Sequence, residues 1–371
     1  MRRRRLVRAG HARTAGDRVS TAGLAVVMLV GLMLIAIVER TLLAGGIPPA
    51  VRLPALTPPD ALPARAAPAV PPTSPPAVVE LEPQVRRLTA AERTGAARAA
   101  YGVEPGAQPL AAATRFTQDR TWAFGTSVIP VPDRVPAMPQ VALFLAHWDG
   151  SRWRMALSGD VGFRMLLRVV PTTLLAAEEI RALARFSVGP TGAPHLMLPW
   201  RVGDSWTMTA LPQGNRPLAS LTFDGGDGRV LAAADGWLYR FCAVPTGAAL
   251  VMIVHQNGLA TVYNRLTGLN GQSDGTAVRQ GDPVGRIGAE HPCGGAVPDR
   301  PGLQFGLRQG TGDVAFNSMV LGGWIFRENK SPFVGWAERG FSEVTTGGVL
   351  PNFGPVDPQI LSVPRPVPTP S

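Results

Sequence analysis

Two apolar runs joined by a polar turn dominate the stretch 250–266, which reads LVMIVHQNGLATVYNRL. Apolar and polar positions alternate along the runs, β-branched residues are frequent, and Gln256, Asn257 and Gly258 form a turn-like connection. This pattern predicts a β-hairpin with one buried face. Two further runs, VRQGDPVGRIG and PGLQFGLRQG, alternate in a similar way between closely spaced glycines. Short strands separated by glycine-rich turns predict an antiparallel, mainly β core.

A different pattern in residues 80–195 predicts a small α+β domain. The alanine-rich segment Thr89–Tyr101 favours a helix, and Thr89 with Glu92 resembles a capping box at its start. Apolar alternation on both sides of Asp149-Gly150 is typical of a hairpin. The segment Thr172–Phe186 has the spacing of an amphipathic helix.

Two tryptophans and two lone histidines lie in or near these segments. Trp148 and Trp153 flank the predicted hairpin turn, where they form either part of the core or an exposed platform for sugars. We favour the core, because aromatic residues in hairpins more often pack inside. His147 and His195 have no neighbouring catalytic partner in the sequence and are interpreted as structural.

The N-terminus predicts a membrane anchor. A basic head over residues 1–21 precedes an apolar segment, and residues 22–43 are predicted to form a single transmembrane helix. Arginines before the segment place the N-terminus in the cytoplasm and the remaining chain outside it. The alternative is a signal peptide that is cleaved after export. In either case, residues beyond the segment are expected to be extracytoplasmic.

Proline-rich stretches flank the predicted domains. Residues 44–79 form a linker that favours extended polyproline II conformation. Residues 331–371 are predicted to be a C-terminal extension that ends in a disordered, proline-rich tail from Pro351. A docked strand in this tail is the alternative.

The net charge of +10 gives little information about partners. Residues 1–18 contain seven arginines and one aspartate, so this head accounts for +6 of the charge. A nucleic-acid-binding domain would need a clustered basic face, which the remaining sequence lacks. We therefore expect no nucleic-acid partner.

Five pieces of the sequence occur in an informative order, namely SWTMT, GGDGRVLAAADG, IVHQNGLATVY, GDPVGRIG and CGG. This order resembles the lysostaphin/LytM-type zinc endopeptidases, which cut peptidoglycan cross-bridges, and especially their beta-lytic branch. The resemblance extends from Leu198 to Trp324, roughly a third of the chain. It implies that residues 196–330 form a barrel-like antiparallel β domain, the LytM or duplicated hybrid motif fold.

The chain contains two cysteines, Cys242 and Cys293. An even number of cysteines after an export signal predicts a disulfide, and the resemblance implies this pairing because the beta-lytic branch carries a bridge there. A zinc site built from Cys293, His291 and His255 is the alternative. The resemblance argues against it, because His255 aligns with a strand histidine that is not a ligand in the family.

The catalytic positions of the family are substituted in this sequence. The family's P-H-G motif corresponds to a segment with Gln213 at its centre, and its L-D-F motif to one with Thr222. Arg265 stands where the Y-x-H-L motif has a histidine, while Gly302 and Gln304 replace both histidines of the H-x-H-F motif. Zinc prefers imidazole, carboxylate and thiolate ligands. The resemblance therefore implies that the fold is kept while the metal site is lost, and we expect no cofactor.

These observations predict a membrane-anchored homologue that is catalytically inactive and binds peptidoglycan or regulates or scaffolds a cell-wall hydrolase. Two interpretations of Arg265 stay open. Its fixed cation pairs with a carboxylate of a stem peptide or of a partner protein, or the residue is solvated and has no binding role. One alternative is an active zinc endopeptidase with an unrecognised ligand set, and another is a purely structural envelope module. The residues predicted to line the vestigial groove are Gln213, Thr222, His255, Arg265, Gly302 and Gln304.

Overall fold

The computed structural model describes residues 78–192, 195–209, 219–269, 271–297, 300–328 and 335–357. The predicted transmembrane helix over residues 22–43, the basic head, most of the linker and Gln213 lie outside these ranges. No helix within the described ranges is both long and apolar enough to cross a membrane.

The N-terminal part is an α+β unit with one antiparallel sheet in the order β1-β2-β3-β4. Its elements are α1 (Val78–Tyr101), β1 (Leu110–Phe116), β2 (Trp122–Ile129), β3 (Gln140–Trp148), β4 (Trp153–Leu157), α2 (Val161–Leu167) and α3 (Ala177–Phe186). The hairpin predicted around Asp149-Gly150 is confirmed as β3 and β4. Trp148 and Trp153 are 9% and 6% exposed, so they belong to the core and offer no platform.

Helix α1 begins earlier than the sequence predicts. It starts at Val78 and includes Pro83, although proline removes one helical hydrogen bond. Leu81 and Val85 are fully buried against the sheet, and this burial stabilises the additional turns. Thr89 is therefore not a helix cap. Its hydroxyl lies within the helix, donates to the Val85 carbonyl at 2.9 Å and lies 2.6 Å from the Ser127 hydroxyl.

The C-terminal part is built around a large antiparallel sheet in the order β11-β8-β9-β10-β13-β6-β5-β19, with β12, β7 and β14 paired at its sides. Its strands are β5 (Ser205–Thr209), β6 (Ser220–Asp224), β7 (Arg229–Leu231), β8 (Gly236–Phe241), β9 (Ala249–His255), β10 (Ala260–Thr267), β11 (Thr276–Val278), β12 (Pro283–Ile287), β13 (Leu303–Gln309), β14 (Gly312–Val314) and β19 (Val349–Pro351). The predicted hairpin is confirmed as β9 and β10, but both of its faces are buried rather than one, because each face packs into a different hydrophobic cluster. The fold is mainly β with few helices in the described ranges.

A smaller antiparallel sheet follows, consisting of β15 (Val320–Leu321), β16 (Trp324–Glu328), β17 (Gly335–Arg339) and β18 (Ser342–Thr345). Ala337 and Leu350 belong to the same buried cluster as the large sheet. The predicted disorder from Pro351 does not apply to the start of the tail, because Pro351 is in β19 and Asn352 is 1% exposed. The Asn352 side chain donates to the carbonyls of Leu198 and Trp200.

The two faces of the large sheet pack against different partners. One face carries residues such as Phe223, Tyr263 and Phe305 and packs into the cluster that includes the small sheet. The other face, including Tyr239 and Met252, shares a hydrophobic cluster with the α+β unit. The α+β unit therefore covers part of the face on which the candidate site lies.

Candidate functional site

Three polar side chains lie in one row across neighbouring strands. Thr222 of β6 is directly opposite Gln304 of β13, which is directly opposite Asn264 of β10. Directly opposed residues of antiparallel strands project from the same face of a sheet. All three residues are buried, and Gln304 is 0% exposed. The sheet register thus brings two predicted site residues, Thr222 and Gln304, next to each other.

Neutral hydrogen bonds connect Gln304 to Asn264 of this row and to Ser220 of β6. Asn264 Nδ2 donates to Gln304 Oε1 at 2.9 Å, and Gln304 Nε2 donates to Ser220 Oγ at 3.4 Å. Gly302 is buried beside the row, because a Cβ at this position would lie 3.0 Å from Thr222 Cγ2. Thr222, Gly302 and Gln304 therefore form one compact cluster, as the resemblance implies.

Arg265 joins the cluster through a β-bulge. Tyr263 pairs with Val251 and Leu266 pairs with Ala249, so Asn264 and Arg265 together oppose a single residue of β9. The φ angle of Arg265 is 70°, in the left-handed region that non-glycine residues seldom adopt. The bulge allows Asn264 and Arg265 both to project away from the cluster around Tyr263.

The Arg265 side chain is buried, with 3% of the residue exposed, so it is not a solvated arginine. Its Nη2 donates to the Ala296 carbonyl at 3.0 Å. Burial lowers its pKa to about 10, which leaves the guanidinium charged at neutral pH. The site therefore contains a permanent cation.

The loop 291–296 next to Arg265 is fixed from two sides. The predicted disulfide between Cys242 and Cys293 is present, with a Cα–Cα distance of 5.5 Å. The connection between β2 and β3 runs alongside the loop: Val131 N donates to the Cys293 carbonyl and Ala296 N donates to the Val135 carbonyl, both at 3.0 Å. A segment of the α+β unit thus borders the site.

His291 lies in the same loop, and its imidazole has no hydrogen-bond partner among the described residues although both ring nitrogens are buried. Burial and the charge of Arg265 lower the pKa of His291. The imidazole thus favours its neutral form more strongly than a free histidine does, and its loop contacts Arg265 through the Ala296 carbonyl.

A cleft of about 540 Å³ opens beside Ser220. Small residues of α1 and the β2–β3 connection, such as Ala99 and Val135, line it together with Ser220. Because Ser220 accepts a hydrogen bond from Gln304, the polar row is linked to a residue that lines this cleft.

His255 lies apart from the other predicted site residues. It is at the turn end of β9 and shares the sheet face of Val251 and Ile253, opposite to the face of Gln304. Its Nδ1 donates to the Asp235 carbonyl at 2.8 Å, and its Nε2 lies 2.9 Å from Thr261 Oγ1. Burial lowers its pKa to about 4, so the ring is neutral near pH 7.

The donor atoms present do not fit the zinc ion that the family implies. Thr222 and Gln304 offer neutral oxygens or nitrogens, Gly302 offers no side chain, and the Arg265 cation would repel a metal ion. The alternative set of Cys293, His291 and His255 does not fit either, because the thiol is in the disulfide and both nitrogens of His255 are engaged. No group of three histidines, cysteines or carboxylates in the described ranges is arranged to hold a metal.

Sequence reasoning missed Asn264 and Ser220 as members of the site and considered His291 only as a zinc ligand. Asn264 is recoverable in principle, because a register between the strands around Tyr263 and Phe305 places it opposite Gln304. The proximity of His291 to Arg265 depends on the disulfide-bound loop and has no local signal in the sequence.

Comparison with known proteins supports the resemblance. Residues 220–316 match the sequence model of Peptidase family M23, and this segment contains the described cluster. No curated protein is significantly similar to the chain in sequence.

Solved structures of this family are similar to the chain at low sequence identity. The M23 metalloprotease pseudoalterin from the deep sea is 22% identical, with 43% of this chain and 98% of that chain covered and a TM-score of 0.36. A putative M23 peptidase from Pseudomonas aeruginosa is 15% identical, with coverages of 57% and 86% and a TM-score of 0.26. The catalytic domain of lysostaphin from Staphylococcus simulans is 16% identical, with coverages of 31% and 88% and a TM-score of 0.23. The match to the family model identifies the segment 220–316 as a domain of the M23 peptidase type.

Proposed function

We propose that this chain is a single-pass membrane protein whose extracytoplasmic M23-type domain has no peptidase activity and binds peptidoglycan peptides, through which it scaffolds or regulates wall hydrolases. The observation that carries the proposal is the pair of neutral hydrogen bonds that Gln304 makes with Asn264 and Ser220, next to the buried cation of Arg265. A Gln304 amide whose oxygen and nitrogen are both engaged needs no metal ion to hold it in place.

Loss of the metal removes the chemistry of hydrolysis. A bound zinc ion lowers the pKa of its water towards 7 and so supplies hydroxide near neutral pH. Thr222, Gly302, Gln304 and Arg265 provide neither that effect nor an imidazole to move a proton. We therefore propose that these positions now serve binding.

The presence of buried polar groups near a cleft supports a binding role. The cleft beside Ser220 and the buried Arg265 lie on the same side of the sheet as the row. A purely structural module would gain stability from an apolar replacement of Arg265, because an unpaired buried charge is costly. The predicted membrane anchor and linker would hold such a domain next to the wall.

Co-sedimentation with purified peptidoglycan tests this proposal. We expect the detergent-solubilised full-length chain to sediment with intact peptidoglycan and to release no soluble wall fragments. A variant that lacks residues 2–18, measured at high ionic strength, controls for attraction between the basic head and wall anions. A chain that stays in the supernatant at every wall concentration would refute peptidoglycan binding and favour a structural module.

A further inference from the structure

Arg265 carries a buried charge without a counter-charge in the described part of the chain. Its Nη2 donates to a carbonyl, while Nε and Nη1 are buried and have no hydrogen-bond partner. Burial is what lowers its pKa, with no described carboxylate acting to raise it. Buried polar groups are almost always satisfied, and a buried unpaired charge costs several kcal/mol. Buried donors of this kind are suited to a ligand that supplies acceptor atoms.

Another buried arginine shows the contrast. Arg308, which is 2% exposed, donates from Nη1 to Asp313 Oδ1 at 2.8 Å and from Nη2 to Gln140 Oε1 at 2.8 Å. The fold thus pairs its structural arginine with a carboxylate and an amide, although its Nε is also buried without a partner. At Arg265 the corresponding partner is missing.

His291 has the same deficiency and lies in the loop that Arg265 contacts through the Ala296 carbonyl. Both of its ring nitrogens are buried and unpartnered, and the disulfide two residues later holds its loop in place. A neutral imidazole adds one N–H donor to those of the guanidinium. The two residues thus present unsatisfied donors, with one net positive charge.

We propose that Arg265 and His291 form a binding site for a single peptide carboxylate. One guanidinium balances one carboxylate, whose two oxygens accept N–H groups in the plane of the cation. A phosphate dianion carries more charge and more acceptor oxygens than these donors satisfy. The choice of a peptide as the carrier of the carboxylate rests on the proposed function, whereas the charge of the ligand follows from Arg265 itself.

Thermal unfolding of the full-length chain in detergent tests the site with a matched pair of probes. N-acetyl-alanyl-alanine has a free carboxylate, and its C-terminal amide has the same shape without the charge. At about ten times the dissociation constant, the carboxylate should raise Tm by about 2–4 °C. The amide and inorganic phosphate should cause no comparable shift.

Two variants separate a binding residue from a structural one. Arg265→Met should leave the ligand-free Tm unchanged or higher and should abolish the shift caused by the carboxylate, and His291→Phe should reduce that shift. The control Arg308→Met should instead lower Tm, because it leaves Asp313 without its partner.

Equal shifts from the carboxylate and the amide, a shift from phosphate alone, or a loss of ligand-free stability in Arg265→Met comparable to that in Arg308→Met would overturn the site. A carboxylate shift in a chain that fails to sediment with peptidoglycan would support the site and refute the proposed function. If the wild type and Arg265→Met sediment equally with peptidoglycan and the carboxylate causes no Tm shift, the proposed function would be supported and the site refuted.

Discussion

Replacement of Glu179 with alanine is expected to lower the free energy of unfolding by about 3–5 kcal/mol. Glu179 of α3 is 1% exposed and accepts from Arg115 Nη1 of β1 at 2.5 Å and from the Tyr239 hydroxyl of β8 at 2.9 Å. The alanine variant would leave the Arg115 cation and the buried Tyr239 hydroxyl unpaired. Because Tyr239 belongs to the large sheet, this network fastens the α+β unit to the M23-type domain.

Chemical denaturation followed by tryptophan fluorescence measures this loss. The matched control is Glu178→Ala in the same helix, whose carboxylate is 61% exposed and pairs with Arg181 at 2.9 Å. An exposed pair of this kind contributes at most about 1 kcal/mol. Equal losses in the two variants would show that Glu179 does not hold the two parts together.

His255 is expected to make the protein less stable in acid. Its pKa is about 4 in the folded chain and 6.5 as the ordinary value, so the unfolded chain binds more protons between these values. The contribution of the neutral His255 ring to stability is complete above pH 6.5 and is lost as the pH falls to 4. This difference between the two pKa values of His255 corresponds to about 3 kcal/mol in the free energy of unfolding.

The variant His255→Gln isolates this contribution, because glutamine does not titrate. The wild type must be compared with this variant because Glu92 changes stability in the opposite direction. Burial and Asp160 raise the pKa of Glu92 to about 7, so its protonation stabilises the folded state as the pH falls from 7 to 4.5. Between pH 7 and 4, the wild type should lose about 3 kcal/mol more than His255→Gln. The control His195→Gln changes an exposed imidazole and should follow the wild type. Parallel pH profiles for the wild type and His255→Gln would contradict the prediction.

The pattern of the sequence predicted much of the M23-type domain. Alternation located the β9–β10 hairpin, the order of five motifs indicated the fold, and the even cysteine count together with the resemblance predicted the disulfide. These features depend on local periodicity and on motif order, which a single sequence retains.

Features that depend on tertiary packing were not predicted. Thr89 resembles a helix cap, but burial of Leu81 and Val85 extends α1 beyond it. His255 follows an apolar strand, yet only the register shows that it faces away from Gln304. Burial of Arg265 arises from a bulge and from the loop around Cys293, which lie far apart in the sequence.

Elemental analysis of the purified full-length chain is the most direct test of whether this M23-type domain functions without a metal. We expect well under one zinc per chain, because none of the substituted positions offers an imidazole, carboxylate or thiolate. The variant Gln213→His with Thr222→Asp and Gln304→His is the positive control, since Thr222 and Gln304 are directly opposed and would bring a carboxylate next to an imidazole. Stoichiometric zinc in the unmodified chain, together with chelator-sensitive release of wall fragments, would contradict the account.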